Sequence, residues 1–535
     1  MKSAASSRPP FAALAAVSAA AFGLHGYHLG VEDSEIYLPA VKQLLHPDLY
    51  PFAPEFFLSH GRLSVFSPLV AGSARLLHAS ADWAILGWYA LTVFAFVCAC
   101  WMVAAACFDS TRARWCATLL AAAAMTMPAT NTGLLLVDPY LTARSLSTPL
   151  TLFALAGLLE KRYVLAGLAT LVTAAVHPQM AVYLLFLIVV LALLNRTRTG
   201  SRQPVPALAS IAFVLPTGFQ LTSATGPYRE ALFSRDYFFL YNWAWYHWLG
   251  MLAPLAILAL IGRTPPRNTR PALRALCFAM LPFGLLSLAV ALLFSTSPNF
   301  EMLARLQPLR TFHLITLVLI LVLGGLAGEY LGRNRRWAIP ALILPVAIGM
   351  FFADQSTYPS SPQIEWPSAT SSNAWVNTLL WIRANTPQDA VFAVDSRYFL
   401  DHGVDEHGFR AISERSALAD YYKDSGVVSL FPALAPEWKQ MSNSTYGLNH
   451  FTAADFNRLE AQYPAVNWTV IHGAPPTGLS CPYQQHGYAV CRLAGSVTSN
   501  RQRTLISTPR ANSSPIAQHR PALFWQNRTM ERAQC

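Results

Sequence analysis

Three carboxylates lie close together in the stretch from Gly30 to Pro39, which reads Gly-Val-Glu-Asp-Ser-Glu-Ile-Tyr-Leu-Pro. They belong to Glu32, Asp33 and Glu35, and a positioned carboxylate can take a proton from a hydroxyl group. The alternative is structural, because an acid at a helix N-cap or in the first turn stabilises the helix. Pro39 weakens that alternative, since a proline inside a helix starting at Asp33 would remove a hydrogen bond. The helix should therefore kink or begin later, and both roles stay open.

Basic and imidazole side chains that could accompany these acids lie far along the chain. Arg305 and Arg310 flank a Gln-Pro pair before an apolar segment, and the guanidinium group is well shaped for phosphate. The alternative to phosphate binding is that both arginines extend to the membrane interface, or that Arg305 forms an ion pair with Glu301. His177 precedes a proline at the end of an apolar segment. A histidine at this place could anchor the loop through a hydrogen bond. Alternatively, it could bind a phosphate or carry a proton.

Asp138 and Arg144 lie in one polar connection between apolar segments. A structural ion pair between them competes with a role in binding a ligand. The sequence contains no CxxC or HExxH spacing, so it offers no recognisable metal-binding motif.

The composition places these residues in a membrane protein. Of 535 residues, 54% are hydrophobic and only 12% are charged, whereas soluble domains carry about 25% charged residues. The net charge of +11 comes from arginines grouped between apolar segments and from the tail after Gly495, which has six Arg and one Glu. Because the positive-inside rule explains such groups, we expect no nucleic-acid partner.

Eleven apolar segments can be interpreted as membrane-spanning helices. The first is either a retained helix, which the many later spans favour, or a cleaved signal peptide. The segments lie at 9–25, 82–107, 113–128, 145–159, 163–177, 180–194, 205–221, 243–262, 275–294, 311–330 and 338–353.

Arginine clusters occur at every second connection, on the side of Lys2 and Arg8. The positive-inside rule assigns that side to the cytoplasm. The opposite side then receives the long connection 26–80, with its three acids, and the connections that carry Asp138, His177 and Arg305. Ionisable groups are costly at membrane depth unless they have a partner or a use, so a site is expected at this outer face.

A transmembrane domain is thus predicted for residues 1–353, followed by a small α/β domain at 354–495 that an odd number of spans places outside. A basic tail at 496–535 has the composition of a disordered segment. Cys481 and Cys491 could form a disulfide if the domain is exported. We predict helices at Asn373–Ala384 and Ala453–Gln462 and strands at Val391–Val394, Val466–Ile471 and Tyr488–Leu493.

The predicted architecture resembles the GT-C superfamily, which contains glycosyltransferases that use sugars linked to lipid phosphates. The resemblance covers the number of spans, the long first outer loop that opens with paired acids, and the exported α/β domain. In sequence it rests on Glu32-Asp33, the loop from Asp138-Pro139-Tyr140 to Arg144, and the arginines of the last outer loop. The passage from Trp381 to Phe392 also resembles the tails of bacterial membrane proteins of this type.

The resemblance implies an inverting transfer of a sugar from a polyprenyl-phosphate donor to a lipid, glycan or protein acceptor. The reaction would take place at the extracytoplasmic face of a bacterial inner membrane, among membrane lipids. Asp33 is favoured as the base, with Glu32 second. Most members of the superfamily need no bound metal but some do, so no cofactor is assigned. The residues expected to contact substrate are Glu35, Asp138, Arg144, His177, Arg305 and Arg310.

Two other classes of function compete with this interpretation. A transporter or lipid flippase should show paired, Gly/Pro-broken segments and ionisable residues near the bilayer midplane in both halves. No internal repeat is apparent, and most charges lie at the ends of the spans. A non-catalytic assembly or sensor protein would act through its exported domain alone.

Overall fold

The computed structural model describes residues 10–199, 223–266, 268–334, 337–367 and 370–493. The span predicted at 205–221 and the tail predicted at 496–535 lie outside these ranges. Each of the other ten predicted spans overlaps a helix.

Fourteen α-helices precede the C-terminal domain in the described ranges. Short 3-10 helices at Pro298–Leu306 and Pro308–Arg310 lead into the thirteenth. In chain order the helices are α1 (Phe11–His25), α2 (Ser34–Leu45), α3 (Glu55–Gly61), α4 (Phe66–Leu77), α5 (Ala81–Cys107), α6 (Thr111–Ala123), α7 (Ala143–Leu159), α8 (Tyr163–Val176), α9 (Pro178–Thr199), α10 (Gly226–Phe233), α11 (Trp245–Arg263), α12 (Pro271–Ser295), α13 (Thr311–Asn334) and α14 (Ala338–Thr357).

Six helical segments among the described residues are long and apolar enough to cross a membrane. Helices α1, α7 and α8 are apolar but shorter, with 15, 17 and 14 residues. At about 1.5 Å per residue, even α7 extends only about 25 Å, less than a hydrocarbon core of about 30 Å. The protein is therefore a helical membrane protein with six candidate spans, and the larger number of eleven stays a prediction. The six are α5, α9, α11, α12, α14 and the segment Pro298–Leu331, which contains most of α13.

Helix α7 separates two groups of charged side chains. Arg144 lies in its first turn, and Glu160 follows its last residue. Near Glu160, Arg270 Nη1 lies 3.9 Å from the Glu160 carboxylate and Arg270 Nε lies 2.8 Å from Asp109 Oδ1. The arginine-rich connections around α7 and α12 therefore meet at the end of α7 opposite Arg144.

The long connection 26–80 folds into α2, α3 and α4. Helix α2 begins directly after Asp33, whose side chain makes no capping hydrogen bond, and Pro39 lies inside the helix. Of the two expected alternatives, a kink or a later start, the later start is therefore wrong. Burial of Ile36, Tyr37 and Val41 explains how the helix tolerates the proline, because burial of apolar side chains offsets the cost of a lost hydrogen bond.

The C-terminal domain is a five-stranded mixed sheet with helices. The strand order is β2-β1-β3-β5-β4; β1 is parallel to β2 and β3, whereas β5 is antiparallel to β3 and β4. A disulfide joins Cys481 on β4 to Cys491 on β5. The elements are α15 (Ala374–Asn385), β1 (Val391–Ala393), α16 (Phe409–Ser413), β2 (Ser416–Ala417), α17 (Lys423–Leu430), α18 (Ala435–Ser444), α19 (Ala453–Gln462), β3 (Trp468–His472), β4 (Ser480–Gln485) and β5 (Tyr488–Arg492).

This domain packs directly on the connection 26–80. The Gly408 backbone N–H donates to the Gly30 carbonyl at 2.8 Å, and the Glu32 N–H donates to the Glu406 carbonyl at 3.0 Å. A side chain at position 408 would overlap Glu35, since a Cβ there would lie 2.1 Å from Glu35 Oε2. Glycine at this position therefore allows the close approach that brings α16 and α17 to the acidic stretch.

Candidate functional site

Arg144 lies between two carboxylates. Its Nη1 donates to Asp33 Oδ2 at 3.2 Å, and its Nη2 donates to both oxygens of Asp138 at 2.8 Å. Asp138 Oδ2 also accepts hydrogen bonds from the hydroxyl groups of Thr142 and Ser145, at 3.3 and 2.9 Å. The Asp138 side chain is only 2% exposed. The Asp138–Arg144 pair therefore fixes the start of α7, and this arginine in turn holds Asp33.

Asp33 is the more accessible of the two carboxylates that Arg144 binds. Its side chain is 31% exposed. Burial acts to raise the pKa of Asp33, but the positive charges of Arg144, Arg310 and Arg235 outweigh this effect, so its pKa lies below the ordinary value. Asp33 is thus an ionised carboxylate at neutral pH, reachable from solvent and able to accept a proton.

A lysine of the C-terminal domain completes the surroundings of the acids. Lys423 is the first residue of α17, and its Nζ contacts Glu32 Oε2 and lies 3.7 Å from Asp33 Oδ1. Glu32 has a φ angle of 51°, which is uncommon for a residue other than glycine. The site is therefore formed by three parts of the chain: the connection 26–80, the start of α7 and the C-terminal domain.

Two histidines near this group are neutral. Burial, together with the charges of Arg310 and Arg144 and against the opposing effect of Asp33, lowers the pKa of His60 to about 4. Burial lowers the pKa of His177 to about 3, with contributions from Arg144, His60 and Arg310. His177 Nδ1 also accepts a hydrogen bond from the Met180 backbone N–H at 3.3 Å. His177 thus anchors the turn into α9 while lying close enough to the arginines to feel their charge.

Two arginines of this group keep donors available. Arg310 Nη2 donates to the Tyr237 hydroxyl oxygen at 3.4 Å. The buried Nε atoms of Arg144 and Arg310 have no hydrogen-bond partner among the described residues. Because an unsatisfied buried donor is costly, these atoms favour the binding of an anionic group beside Asp33.

Glu35, which we expected to contact substrate, lies outside this group. Its two oxygens accept hydrogen bonds from the backbone N–H groups of Arg410 and Ala411, at 2.9 and 2.8 Å. The residue is 1% exposed, and burial raises its pKa to about 7. Glu35 thus accepts hydrogen bonds from backbone N–H groups in the first turn of α16, which is a structural role.

Arg305, also expected to contact substrate, binds the C-terminal domain. Its Nη1 donates to the Leu430 carbonyl at 3.4 Å. Glu301, the alternative partner expected for Arg305, pairs with Arg229 at 3.2 Å. The charge of Arg310, the second arginine in this connection, lowers the pKa of Asp33.

His60, Arg235 and Lys423 were not among the site residues predicted from the sequence. His60 lies in the connection 26–80, so a search of that connection for partners of the acids would have included it. Lys423 is 391 residues from Glu32, and no sequence spacing indicates that contact. Only the fold brings them together.

The part of the chain described here contains no group of three or more His, Cys, Asp and Glu side chains that could hold a metal ion. In comparisons with known proteins, no family model matches this sequence and no curated protein shows significant sequence similarity.

Proposed function

We propose that the protein is a membrane glycosyltransferase of the GT-C type. It moves a sugar from a polyprenyl-phosphate donor to a hydroxyl group of a lipid, glycan or protein acceptor, at the extracytoplasmic face of a bacterial inner membrane. The observation that supports this most is Asp33, an accessible ionised carboxylate surrounded by arginines in a helical membrane protein.

In the proposed reaction, Asp33 takes the proton of the acceptor hydroxyl as the acceptor oxygen attacks the anomeric carbon. The bond between that carbon and the phosphate oxygen breaks, and its electron pair leaves with the polyprenyl phosphate. Attack opposite the leaving group inverts the anomeric configuration. A base at hydrogen-bond distance from the hydroxyl typically contributes about 10²–10⁴-fold to the rate.

The leaving phosphate gains negative charge, and guanidinium donors stabilise such charge when they are already in place. Arg310 suits this role because its Nε is free of hydrogen bonds within the described chain. Arg144 is less free, since both of its Nη atoms are bound to carboxylates. The neutral imidazoles of His60 and His177 can add hydrogen bonds without adding charge.

The membrane helices support a lipid-linked donor. Helix α12, one of the six candidate spans, exposes Leu286 and Leu293 by half or more, as expected for an apolar helix that faces lipid. A polyprenyl chain can therefore remain in the bilayer while its phosphate reaches the site. A soluble nucleotide sugar would gain nothing from this arrangement.

The purified protein in nanodiscs should be incubated with labelled undecaprenyl-phosphate hexoses and pentoses and with extracted envelope lipids and glycans as acceptors. We expect transfer of label from one donor to an acceptor. Arg310→Gln should reduce kcat/KM by about 10–100-fold, whereas Arg62→Gln, which removes an exposed arginine paired with Glu55, should not. Movement of an intact labelled lipid across liposomes without any turnover would overturn the proposal and favour a flippase.

A further inference from the structure

We infer that Lys423 of the C-terminal domain is a positioning residue for the base: its ammonium binds Glu32 and leaves Asp33 to take the proton. This inference rests on the proposed function. It assigns different roles to two adjacent carboxylates that the sequence cannot separate.

The Lys423 ammonium is buried and lies beside both acids. Its side chain is 6% exposed, Nζ contacts Glu32 Oε2, and Asp33 Oδ1 lies 3.7 Å away. Nζ also lies 5.3 Å from the centre of the Phe399 ring, a cation–π distance. Burial lowers the pKa of Lys423 to about 7. A buried ammonium is costly unless it is paired, and Glu32 supplies the pair.

The position of Lys423 is fixed by buried charges on both sides. Its backbone N–H donates to Asp420 Oδ1 at 2.6 Å. The next residue, Asp424, accepts from the two Nη atoms of Arg410 at 3.0 and 2.6 Å. Arg410 Nη1 in turn lies 3.6 Å from Glu35 Oε1. Helix α17 is therefore tied to α2, which begins directly after Asp33, so the distance between Lys423 and the acids is set by the fold.

The unequal distances separate the roles of the two acids. Glu32 is in direct contact with the ammonium, so a proton on Glu32 would have to compete with that ion pair. Asp33 Oδ1 is 3.7 Å from Nζ, beyond hydrogen-bond distance. Of the two Asp33 oxygens, Arg144 binds Oδ2 and not Oδ1. Asp33 Oδ1 thus keeps a lone pair for an acceptor hydroxyl while remaining in the field of the lysine.

Other charged and titratable groups also act on Asp33 and contribute to its pKa in the wild type. The positive ones are Arg144 from α7, Arg310 before α13 and Arg235 after α10, while His60 from α3 is a further titratable neighbour. The negative ones besides Glu32 are Asp138, which shares Arg144 with Asp33, and Glu406 from the C-terminal domain. All of them remain in the variants below, so changes at 32 and 423 report on those two residues.

The test is a pH titration of Asp33 in the full-length protein in nanodiscs. The protonation of its carboxyl group is monitored by infrared spectroscopy. The signal is assigned by subtracting the spectrum of Asp33→Asn. Removal of an opposite charge at this distance should raise the pKa of Asp33 by about one unit in Lys423→Met. Glu32→Gln should lower it, because a like charge is removed. Opposite shifts in the two variants cannot come from a general loss of structure, and Lys423→Arg should restore the wild-type midpoint.

The matched control is Lys439→Met, which removes another lysine of the C-terminal domain that pairs with a carboxylate, Glu230, at 2.6 Å. It should leave the titration of Asp33 unchanged. In the transfer reaction with an undecaprenyl-phosphate sugar, Lys423→Met should move the acidic limb of kcat up by about one pH unit and leave KM for the donor within about twofold.

The outcomes separate this inference from the proposed function. The role of Lys423 would be overturned if Lys423→Met and Lys439→Met had equal effects on the titration midpoint of Asp33. It would also be overturned if that midpoint moved neither in Lys423→Met nor in Glu32→Gln. Sugar transfer by the wild type would still stand in both cases. If the wild type transfers no sugar but the two opposite shifts are present, the proposed function fails and the electrostatic role of Lys423 holds.

Discussion

Arg144 Nη1 lies 3.2 Å from Asp33 Oδ2, across 111 residues of sequence. The contact connects the first turn of an apolar helix to the start of the long first connection. Because the other Nη atom of Arg144 is bound to the buried Asp138, the guanidinium cannot follow Asp33 if that residue moves. The carboxylate is thus held at a fixed place at the end of α7.

Arg144→Met should destabilise the protein strongly. It leaves the Asp138 carboxylate buried without its cation, and breaking a buried pair in this way typically costs about 3–5 kcal/mol. The free energy of unfolding, measured in detergent with increasing denaturant, should fall by that amount. Arg62→Met is the control, because it removes an exposed pair with Glu55 and should cost about 0–1 kcal/mol. Similar losses in both variants would contradict the buried bridge.

Glu35→Gln should remove part of the pH dependence of stability. Burial raises the pKa of Glu35 from 4.5 to about 7 in the folded protein, so the folded state binds a proton that the unfolded state has released. The contribution of Glu35 therefore makes the wild type lose stability as pH rises from about 4.5 to 7, by roughly 1–3 kcal/mol. The slope of unfolding free energy against pH in this window should be smaller in Glu35→Gln. The exposed-pair control Glu55→Gln should keep the wild-type slope.

His407→Gln should be most destabilising at low pH. His407 Nε2 lies 2.8 Å from Glu365 Oε1, and burial acts to lower the pKa of this histidine, but the Glu365 charge outweighs it and raises the pKa above 6.5. The stabilisation is fully present below pH 6.5 and is lost as pH rises through the folded-state pKa. We expect a cost of about 3 kcal/mol at pH 6 and a smaller cost at pH 9. A cost independent of pH would show that His407 is not charged, and His450→Gln, at an exposed position, provides the baseline.

The disulfide between Cys481 and Cys491 should form in cells only if the C-terminal domain is exported. Disulfides persist in oxidising compartments and are rare in the cytosol. In a Cys535→Ser background, denatured protein should react with maleimide at positions 481 and 491 only after reduction, as seen by peptide mass spectrometry. Free thiols at both positions in freshly prepared membranes would place the domain in a reducing compartment.

Local features of the fold could be predicted from the sequence. The helix predicted at Ala453–Gln462 is present with those bounds, because a threonine cap and an amphipathic pattern define both its start and its face. The long helix Ala81–Cys107 was predicted within one residue at its start, since an uninterrupted apolar segment leaves few alternatives. Patterns of this kind depend only on neighbours in sequence.

The contacts of the site could be predicted only in part. An ion pair between Asp138 and Arg144 was one of the expected alternatives because six residues separate them. The contacts of Asp33 with Arg144 and of Glu32 with Lys423 join distant segments. The periodic pattern of apolar and polar residues along the sequence does not predict such contacts. Glu35 shows the same limit: its position two residues after Asp33 suggested a shared role, but the helix turns its carboxylate to the backbone of Arg410.

The central claim is that Asp33 is the base of a sugar transfer, and Asp33→Asn tests it most directly. In nanodiscs with the undecaprenyl-phosphate sugar that the wild type uses, kcat for Asp33→Asn should fall by at least about 100-fold. Binding of undecaprenyl phosphate should persist, and Asp48→Asn, which changes an exposed carboxylate, should keep wild-type kcat. Asp33→Asn that folds, binds undecaprenyl phosphate and transfers sugar at the wild-type rate would contradict the claim.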